Sequence, residues 1–324
     1  MKYDVVALGE LLIDFIENGK SPQGNTLFEA SPGGAPCNVL AMLEKLGYKT
    51  AFIGKVGNDS FGKRLGKILS DLNISICGLK YDNSIPTTLA FVHNKLDGDR
   101  EFSFYRSPGA DLMLNEQEVQ YELIQKCKIF HFGSLSMTAD PARKATKEAV
   151  RCAKKAGKLI SFDPNLRKPL WEKLEEAASE IWYGIEQCDI LKIADDEIRW
   201  LTGEHDFDEG IRIIKEKAKV TLINVTLGKG GSICYYGNWK VFAEPFLNSY
   251  TIDTTGAGDT FCACILGEVL KYGLENLSEL QIYNMLLRAN AAASIVTTRK
   301  GAIRSMPEPI EIDNVVNKRH IGNR

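Results

Sequence analysis

The chain has 324 residues, room for one large α/β domain or two smaller ones at roughly 100 to 200 residues per domain. Apolar residues make up 44% and charged residues 25%, a globular balance that excludes a disordered chain, a disulfide-rich peptide and a membrane protein. With 40 Lys and Arg against 42 Asp and Glu the net charge is -2, so no broad basic field exists for nucleic acid and only a local anion site stays open.

Residues 4–8 form the first expected strand. It stops at Gly9-Glu10, with Asp14 close behind, too early for a signal h-region or a membrane span, so the cytoplasm is the expected location. Cysteines at 37, 77, 127, 152, 188, 234, 262 and 264 form no CxxC pair and do not cluster with histidine. They are expected as reduced thiols, without a zinc site. Residues 11–31 and 87–106 are expected to be extended pieces of a small antiparallel sheet. The second alternates Leu89, Phe91 and His93 against Ala90 and Val92, and turns at Asp97-Gly98-Asp99. Placed beside the first and third strands, this sheet would cover the mouth of a site as a lid.

Further strands are expected over 50–53, 129–132, 159–162, 189–193 and 220–225. Their continuous apolarity marks strands buried on both faces. A helix over 141–156 opens on a proline and closes at Gly157. Strand and helix alternating in this way predict an α/β fold, a mostly parallel sheet covered by helices on both faces. The stretch Gly57 to Lys63 fits GxxxxGK, but Arg64 stands where a magnesium-holding Ser or Thr belongs, so a tight strand-to-helix turn is the better reading. Gly9-Glu-Leu-Leu forms no GxGxxG. The polar tail after residue 309 is expected to fray.

The informative stretch is Asp253-Thr-Thr255-Gly256-Ala257-Gly258-Asp259-Thr-Phe261, followed by an apolar helical run. Small residues at a helix start expose successive N–H groups at the positive end of the dipole, where an anion such as phosphate fits. Read alone, Asp259 is as well explained as a carboxylate complementing that dipole.

DTTGAGDTF is also the most specific motif of the ribokinase-like (PfkB) carbohydrate kinases, and the chain resembles that family along nearly its whole length. The resemblance implies the ribokinase-like fold as one domain over 1–324, with Asp259 as the base and Gly256, Ala257 and Gly258 as the anion hole. Gly33-Gly34-Ala-Pro-Cys-Asn38 is similar to the GGAPxN form found in fructokinases. Paired glycines let backbone approach a polyol, and an amide both donates to and accepts from hydroxyls. Asp14 matches the family's sugar-binding Asp. Phe104-Tyr-Arg106 and Asp163-Pro-Asn165-Leu-Arg167 resemble substrate-contacting segments, which makes Arg106 and Arg167 expected sugar ligands.

On the nucleotide side the resemblance implies Lys192, Thr226, Gly228, Gly231 and Asn290. The family's NxxE motif is here Ala194-Asp-Asp-Glu197, so the Asn is absent and only Glu197 carries over, as a residue organising Mg2+ through water. Asp253 and Thr255, with carbonyls of residues 298–305, match a monovalent-cation site for K+. The expected activity is ATP-dependent phosphorylation of fructose to fructose 6-phosphate. A kinase for 2-keto-3-deoxygluconate or another ketose is the alternative, and a non-catalytic sugar sensor a more distant one. Sugar and ATP are the expected partners, with a homodimer through the lid.

Overall fold

The computed structural model describes residues 2–94 and 100–322. In chain order the elements are β1 (Val5–Leu8), β2 (Leu12–Lys20), β3 (Thr26–Gly33), α1 (Ala35–Lys45), β4 (Thr50–Gly57), α2 (Ser60–Asp71), β5 (Ser75–Asp82), β6 (Leu89–Asn94), β7 (Arg100–Tyr105), α3 (Tyr121–Gln125), β8 (Ile129–Gly133) and α4 (Ala142–Lys155). There follow β9 (Leu159–Asp163), α5 (Leu174–Gln187), β10 (Ile190–Ala194), α6 (Asp195–Thr202), α7 (Phe207–Lys217), β11 (Leu222–Thr226), β12 (Ser232–Tyr236), β13 (Trp239–Ala243), α8 (Ala257–Tyr272), α9 (Glu279–Val296) and α10 (Pro309–Gly322).

The larger sheet has the order β13-β12-β11-β10-β9-β8-β1-β4-β5. It is parallel from β11 to β5, and β12 and β13 close one side as an antiparallel hairpin. Successive side chains of a strand point to opposite faces. Val5 and Ala7 accordingly join the core under α1, α2, α8, α9 and α10, while Val6 and Leu8 join the core under α3 to α7. Burial on both faces explains the continuous apolar runs that mark the inner strands. Edge strand β5 and the hairpin β12/β13 were not anticipated. β5 and β13 lie at the sheet margins, where exposed positions dilute the apolar signal, and β12 is buried but short, with Ser232 and Cys234 breaking its apolar run.

The second sheet, β3-β2-β6-β7, is built from the two segments expected to form a small sheet, here called the lid after that expectation. Its outer pairs β2/β3 and β6/β7 are antiparallel, and its central pair β2/β6 is parallel. The anticipated turn at Asp97-Gly98-Asp99 lies outside the described residues. One lid face carries Phe15, which stacks on Phe91 at 4.9 Å and meets Phe61 of α2 edge-on at 5.7 Å. The other face turns Leu12, Asp14, Ile16, Val92 and Phe104 toward a cavity.

The expected frayed tail is instead α10, which packs on α9 and buries Ile312 completely. Its polar residues cover the outer face of one helix, and composition alone does not reveal the apolar anchor. The strand-to-helix turn after β4 is confirmed as a turn without phosphate character. Asp59 caps α2 by accepting from Gly62 N at 2.8 Å, and it also accepts from Thr87 N and Oγ1, each at 2.8 Å. A carboxylate already occupies the anion position. No helix among the described residues is long and apolar enough to cross a membrane.

Candidate active site

The parallel strands deliver their C-terminal ends to one edge, where ligands of open α/β sheets bind. Glu10 after β1, Asp163 at the end of β9, Lys192 near the end of β10 and the start of α8 converge there. Gly256 caps α8 at φ +79°, and a Cβ on it would lie 2.5 Å from Cβ of Ala302. Glycine at this point therefore serves both the left-handed turn and the close approach of residues 298–305. Ala257, Gly258 and Asp259 follow in the first turn of the helix, so the expected anion hole and base sit together.

Asp259 is buried, and its Oδ2 accepts from Asn38 Nδ2 at 2.7 Å. Burial, reinforced by the nearby Asp163, pushes its carboxyl up to about 6 against the opposing pull of Asn38, Lys192 and Arg167. A base poised near the working pH suits proton abstraction from an alcohol. Asn38 Oδ1 is also buried and has no hydrogen-bond partner, and the residue lines the cavity. Its acceptor is therefore free for a hydroxyl.

That cavity, of about 580 Å³, is lined by Asp14, Gly34, Asn38, Arg167, Asp253 and Asp259 among others. Burial pushes the Asp14 carboxyl up to about 7, with Arg167 lowering it and Asp253 raising it. A Cβ on Gly33 would fall 2.1 Å from Asp14 Oδ2, and one on Gly34, at φ +128°, 2.4 Å from the Glu10 carbonyl. The glycine pair thus makes room for the carboxylate and for the tight entry into α1. Arg167 is exposed at the rim.

Arg106 is placed differently from expectation. Its Nε and Nη2 donate to Asp111 Oδ2 at 2.8 and 2.6 Å, Nη2 also to the Leu135 carbonyl and Nη1 to Thr138 Oγ1. It is buried beside the cavity and is not among the lining residues. With two hydrogen bonds to the buried Asp111 carboxylate and one each to Leu135 and Thr138, the guanidinium ties the end of β7 to the main body.

Lys192 is buried against Asp163, with Nζ 3.1 Å from Oδ2, and a Cβ on Gly258 would come within 3.0 Å of that ammonium. Burial alone would lower its pKa, but Asp163, Glu197 and Asp259 outweigh this and hold it above the ordinary lysine value. It lies beside Gly258 and lines the cavity of about 580 Å³. Glu197 is buried and holds two backbone donors, Leu166 N at 2.7 Å on Oε1 and Ala194 N at 2.8 Å on Oε2. Burial raises its pKa, against the pull of Lys192. Both oxygens thus tie the end of β10 to the Asn165-Leu166 turn.

A second cavity of about 600 Å³ adjoins the first and shares Thr251, Thr254 and Gly258 with it. Thr226, Gly228, Gly231, Ala257 and Asn290 line it, four of them the expected nucleotide-side residues. Asn290 Nδ2 donates to the carbonyls of Ala243 and Glu244, fixing the exit from β13. Gly231, at φ +95°, lies where a Cβ would strike the Ala243 carbonyl at 2.4 Å. Asp253 accepts from Thr255 N at 2.8 Å and from Gly301 N at 3.0 Å, which ties the anion-hole turn to residues 298–305.

Glu10 and Asn165 are among the lining residues that the sequence reading did not single out as site residues. Glu10 follows the first strand directly and Asn165 stands inside the Asp163 to Arg167 motif, and both face the sugar-side cavity. Asn165 has φ +43°, a left-handed conformation that Asn tolerates better than most residues. The signal was present for Asn165 in its motif. For Glu10 only its position at a strand end pointed to the site.

A profile described as pfkB family carbohydrate kinase matches residues 2–309. The chain is 40% identical to probable fructokinase-2 of Arabidopsis thaliana over 309 residues, covering 95% of this chain and 94% of that protein. Among solved structures, fructokinase of Xylella fastidiosa with bound ATP is similar at TM-score 0.90 and 30% identity, over 99% of this chain and 100% of that one. A double mutant of Vibrio cholerae fructokinase, in fructose, ADP and potassium ion bound form, gives 0.88 and 28% over 97% and 99% of the two chains. Sequence profile, curated relative and fold agree along nearly the full length: the chain belongs to the pfkB family of carbohydrate kinases.

Proposed function

We propose that the protein transfers the γ-phosphoryl group of ATP to the 6-hydroxyl of fructose, giving fructose 6-phosphate and ADP. The observation that carries this reading is Asp259, raised toward neutrality and clamped by Asn38, at the seam between a polar sugar-sized cavity and a second cavity that shares Gly258 with it. Fructokinases are among the relatives and neighbours on both measures, and the bound fructose, ADP and potassium of one neighbour and bound ATP of another support the same assignment of ligands.

In the mechanism that follows, Asp14 and the free Oδ1 of Asn38 accept from sugar hydroxyls and orient the ring under the apolar lid residues Ile16, Val92 and Phe104. Asp259 takes the proton of the attacking primary alcohol late, as bonding to phosphorus develops. The backbone N–H groups after Gly256, backed by the Lys192 ammonium, face the charge on the transferred group. Lid and apolar wall exclude water. Mg2+ would arrive with the nucleotide. Asp195 and Asp196 line that cavity and offer hard oxygen donors, while Glu197, with each oxygen already accepting a backbone N–H, holds the β10 end in place. When bound, the ion neutralises phosphate charge. Asp253 and Thr255 are the proposed K+ site, since Asp253 accepts from Thr255 N and Gly301 N and so sets a carboxylate between the helix-entry turn and residues 298–305.

The sugar-acid alternative is disfavoured by charge. Glu10, Asp14, Asp253 and Asp259 line the cavity against Arg167 and an already paired Lys192, and Arg106 is spent on Asp111. A substrate carboxylate would meet repulsion there, whereas a neutral ketose would not. ADP release measured across fructose, glucose, ribose, mannose and 2-keto-3-deoxygluconate tests the assignment. Fructose is expected to give the highest kcat/KM, and preference for the sugar acid would overturn it.

A further inference from the structure

Beside the base lies a small recess of about 10 Å³, lined by Glu10, His131, Gly133, Asp163, Asn165 and Asp259 among others, which shares Glu10, Asn165 and Asp259 with the larger cavity. That is the room of one water molecule, and a water needs two to four polar partners to settle in a protein interior. This wall supplies carboxylates from three elements, an imidazole and an amide. Glu10 lines both this chamber and the sugar-side cavity, is 3% exposed, and fixes the start of α1 by accepting from Ala35 N at 2.8 Å. Nothing in the transfer reaction described above uses it.

We propose that the chamber holds one ordered water that connects Asp259 to Glu10, and that Glu10 receives through it the proton the base takes from the sugar. The proposal rests on Asp259 being the base. The step balances: as the O–P bond forms, the substrate O–H bond breaks and its proton passes to Asp259. Asp259 then gives a proton to the water, and the water gives one of its own to Glu10. Asp259 returns to carboxylate, Glu10 becomes a neutral acid, and nothing is oxidised or reduced.

The surroundings let both carboxyls hold a proton near neutral pH: burial pushes Glu10 up to about 7 and Asp259 up to about 6. The groups facing Glu10 are Arg106, which lowers its pKa, and Asp111, which raises it, together with the Cys37 thiol on α1, His131 on β8, Asp163 on β9 and Asp259 on α8. Burial keeps the thiol protonated and His131, at about 4, neutral. Neither competes for the proton at neutral pH. His131 is steadied by its Nδ1 contact with Ser161 Oγ at 3.0 Å.

The test is the single-turnover rate of phosphoryl transfer, against pH, in the full-length protein with saturating fructose and MgATP. Glu10→Gln keeps the acceptor for Ala35 N but cannot take a proton. Gly133→Ala adds a methyl to a residue of the chamber wall and changes no carboxyl group. Its Cβ would sit 3.1 Å from the Asp163 carbonyl of β9, so Tm is measured beside the rate to show that the sheet is intact. Each variant should slow transfer by about tenfold, less than the roughly 10²- to 10⁴-fold cost of losing the base itself, and Glu10→Gln should remove one ionisation from the pH profile. The double variant should be no slower than the slower single one, because both interrupt one path. Wild-type rate and pH profile in Glu10→Gln, or losses that multiply in the double variant, overturn the relay. If Glu10→Gln fails to fold, Gly133→Ala decides alone, and a wild-type rate there overturns it. Asp259→Asn separates the two ideas. An active Asp259→Asn sinks the base assignment, whereas an inactive one beside wild-type rates for the other two variants sinks only the relay.

Discussion

Asn38 Nδ2 sits 2.7 Å from Asp259 Oδ2, joining the first turn of α1 to the first turn of α8 across 221 residues of sequence. The contact stabilises the carboxylate form of the base, opposing the burial that favours the acid form. Asn38→Ala should therefore move the acid limb of the kcat profile to higher pH and raise the KM for fructose, since the free Oδ1 is lost too. A profile unmoved in Asn38→Ala would show that the clamp does not tune the base.

Asp259→Asn keeps size and capping ability but cannot accept a proton. We expect kcat to fall by roughly 10²- to 10⁴-fold with fructose and ATP dissociation constants nearly unchanged. A carboxylate that only complemented the helix dipole would instead cost about 0.3 to 1 kcal/mol of stability and leave turnover intact. Measuring kcat, fructose affinity and Tm on one preparation separates the two.

Acidification should affect activity and stability in opposite directions. Glu10 and Asp14 are raised to about 7 and Asp259 to about 6, all chiefly by burial, against unfolded values of about 3.9 to 4.3. The folded state binds these protons more tightly, so the stability they contribute is full below about pH 4 and is lost as pH rises through about 6 to 7. His131 opposes them, being lowered to about 4 by burial. Three groups outweigh one. The Tm of ligand-free protein should rise between pH 8 and about 5.5 while kcat falls as the base is protonated. A Tm that drops over that interval would contradict these environments.

Arg106 and Asp111 form an ion pair whose side chains are 3% and 2% exposed. Removing one partner of such a pair strands the other, at a cost of about 3 to 5 kcal/mol. Arg106→Ala and Asp111→Ala should both lower Tm strongly, and the pair replaced together by Met and Leu should recover much of the loss. An unchanged Tm with a large rise in fructose KM would return Arg106 to the role of a sugar ligand.

Potassium, in place of a bulky organic cation at equal ionic strength, should raise both kcat and Tm, because a cation at Asp253 would brace the anion-hole turn against residues 298–305. Asp253→Ala, which loses the hydrogen bonds from Thr255 and Gly301, should abolish the response. A wild-type protein indifferent to potassium in both measurements argues against the site.

The turn proposed as anion hole and base was legible because it is contiguous. Gly256, Ala257, Gly258 and Asp259 open α8 together, but spacing alone explains Asp259 equally well as a complement to the helix dipole, and the resemblance to the PfkB kinases is what implies its role as base. The inner strands were legible for a related reason, since burial on both faces writes an unbroken apolar run into the sequence. The edge strand β5, the hairpin β12/β13 and the buried anchor of α10 leave only diluted patterns.

What the sequence determined by itself was the family, the inner strands of the main sheet and the polar residues proposed for the site. Tertiary structure decided which polar groups spend their hydrogen bonds on protein. Arg106 goes to Asp111, Glu197 to the amides of Ala194 and Leu166, Asn290 to carbonyls at the end of β13, and Lys192 to Asp163. Glu10 enters the site only because β1 lies between β8 and β4, which sets its carboxyl beside groups from β8, β9 and α8. A buried polar side chain must find a partner, and in a parallel sheet that partner comes from another crossover unit. Strand order and register select it, and neither is encoded in the few residues on either side.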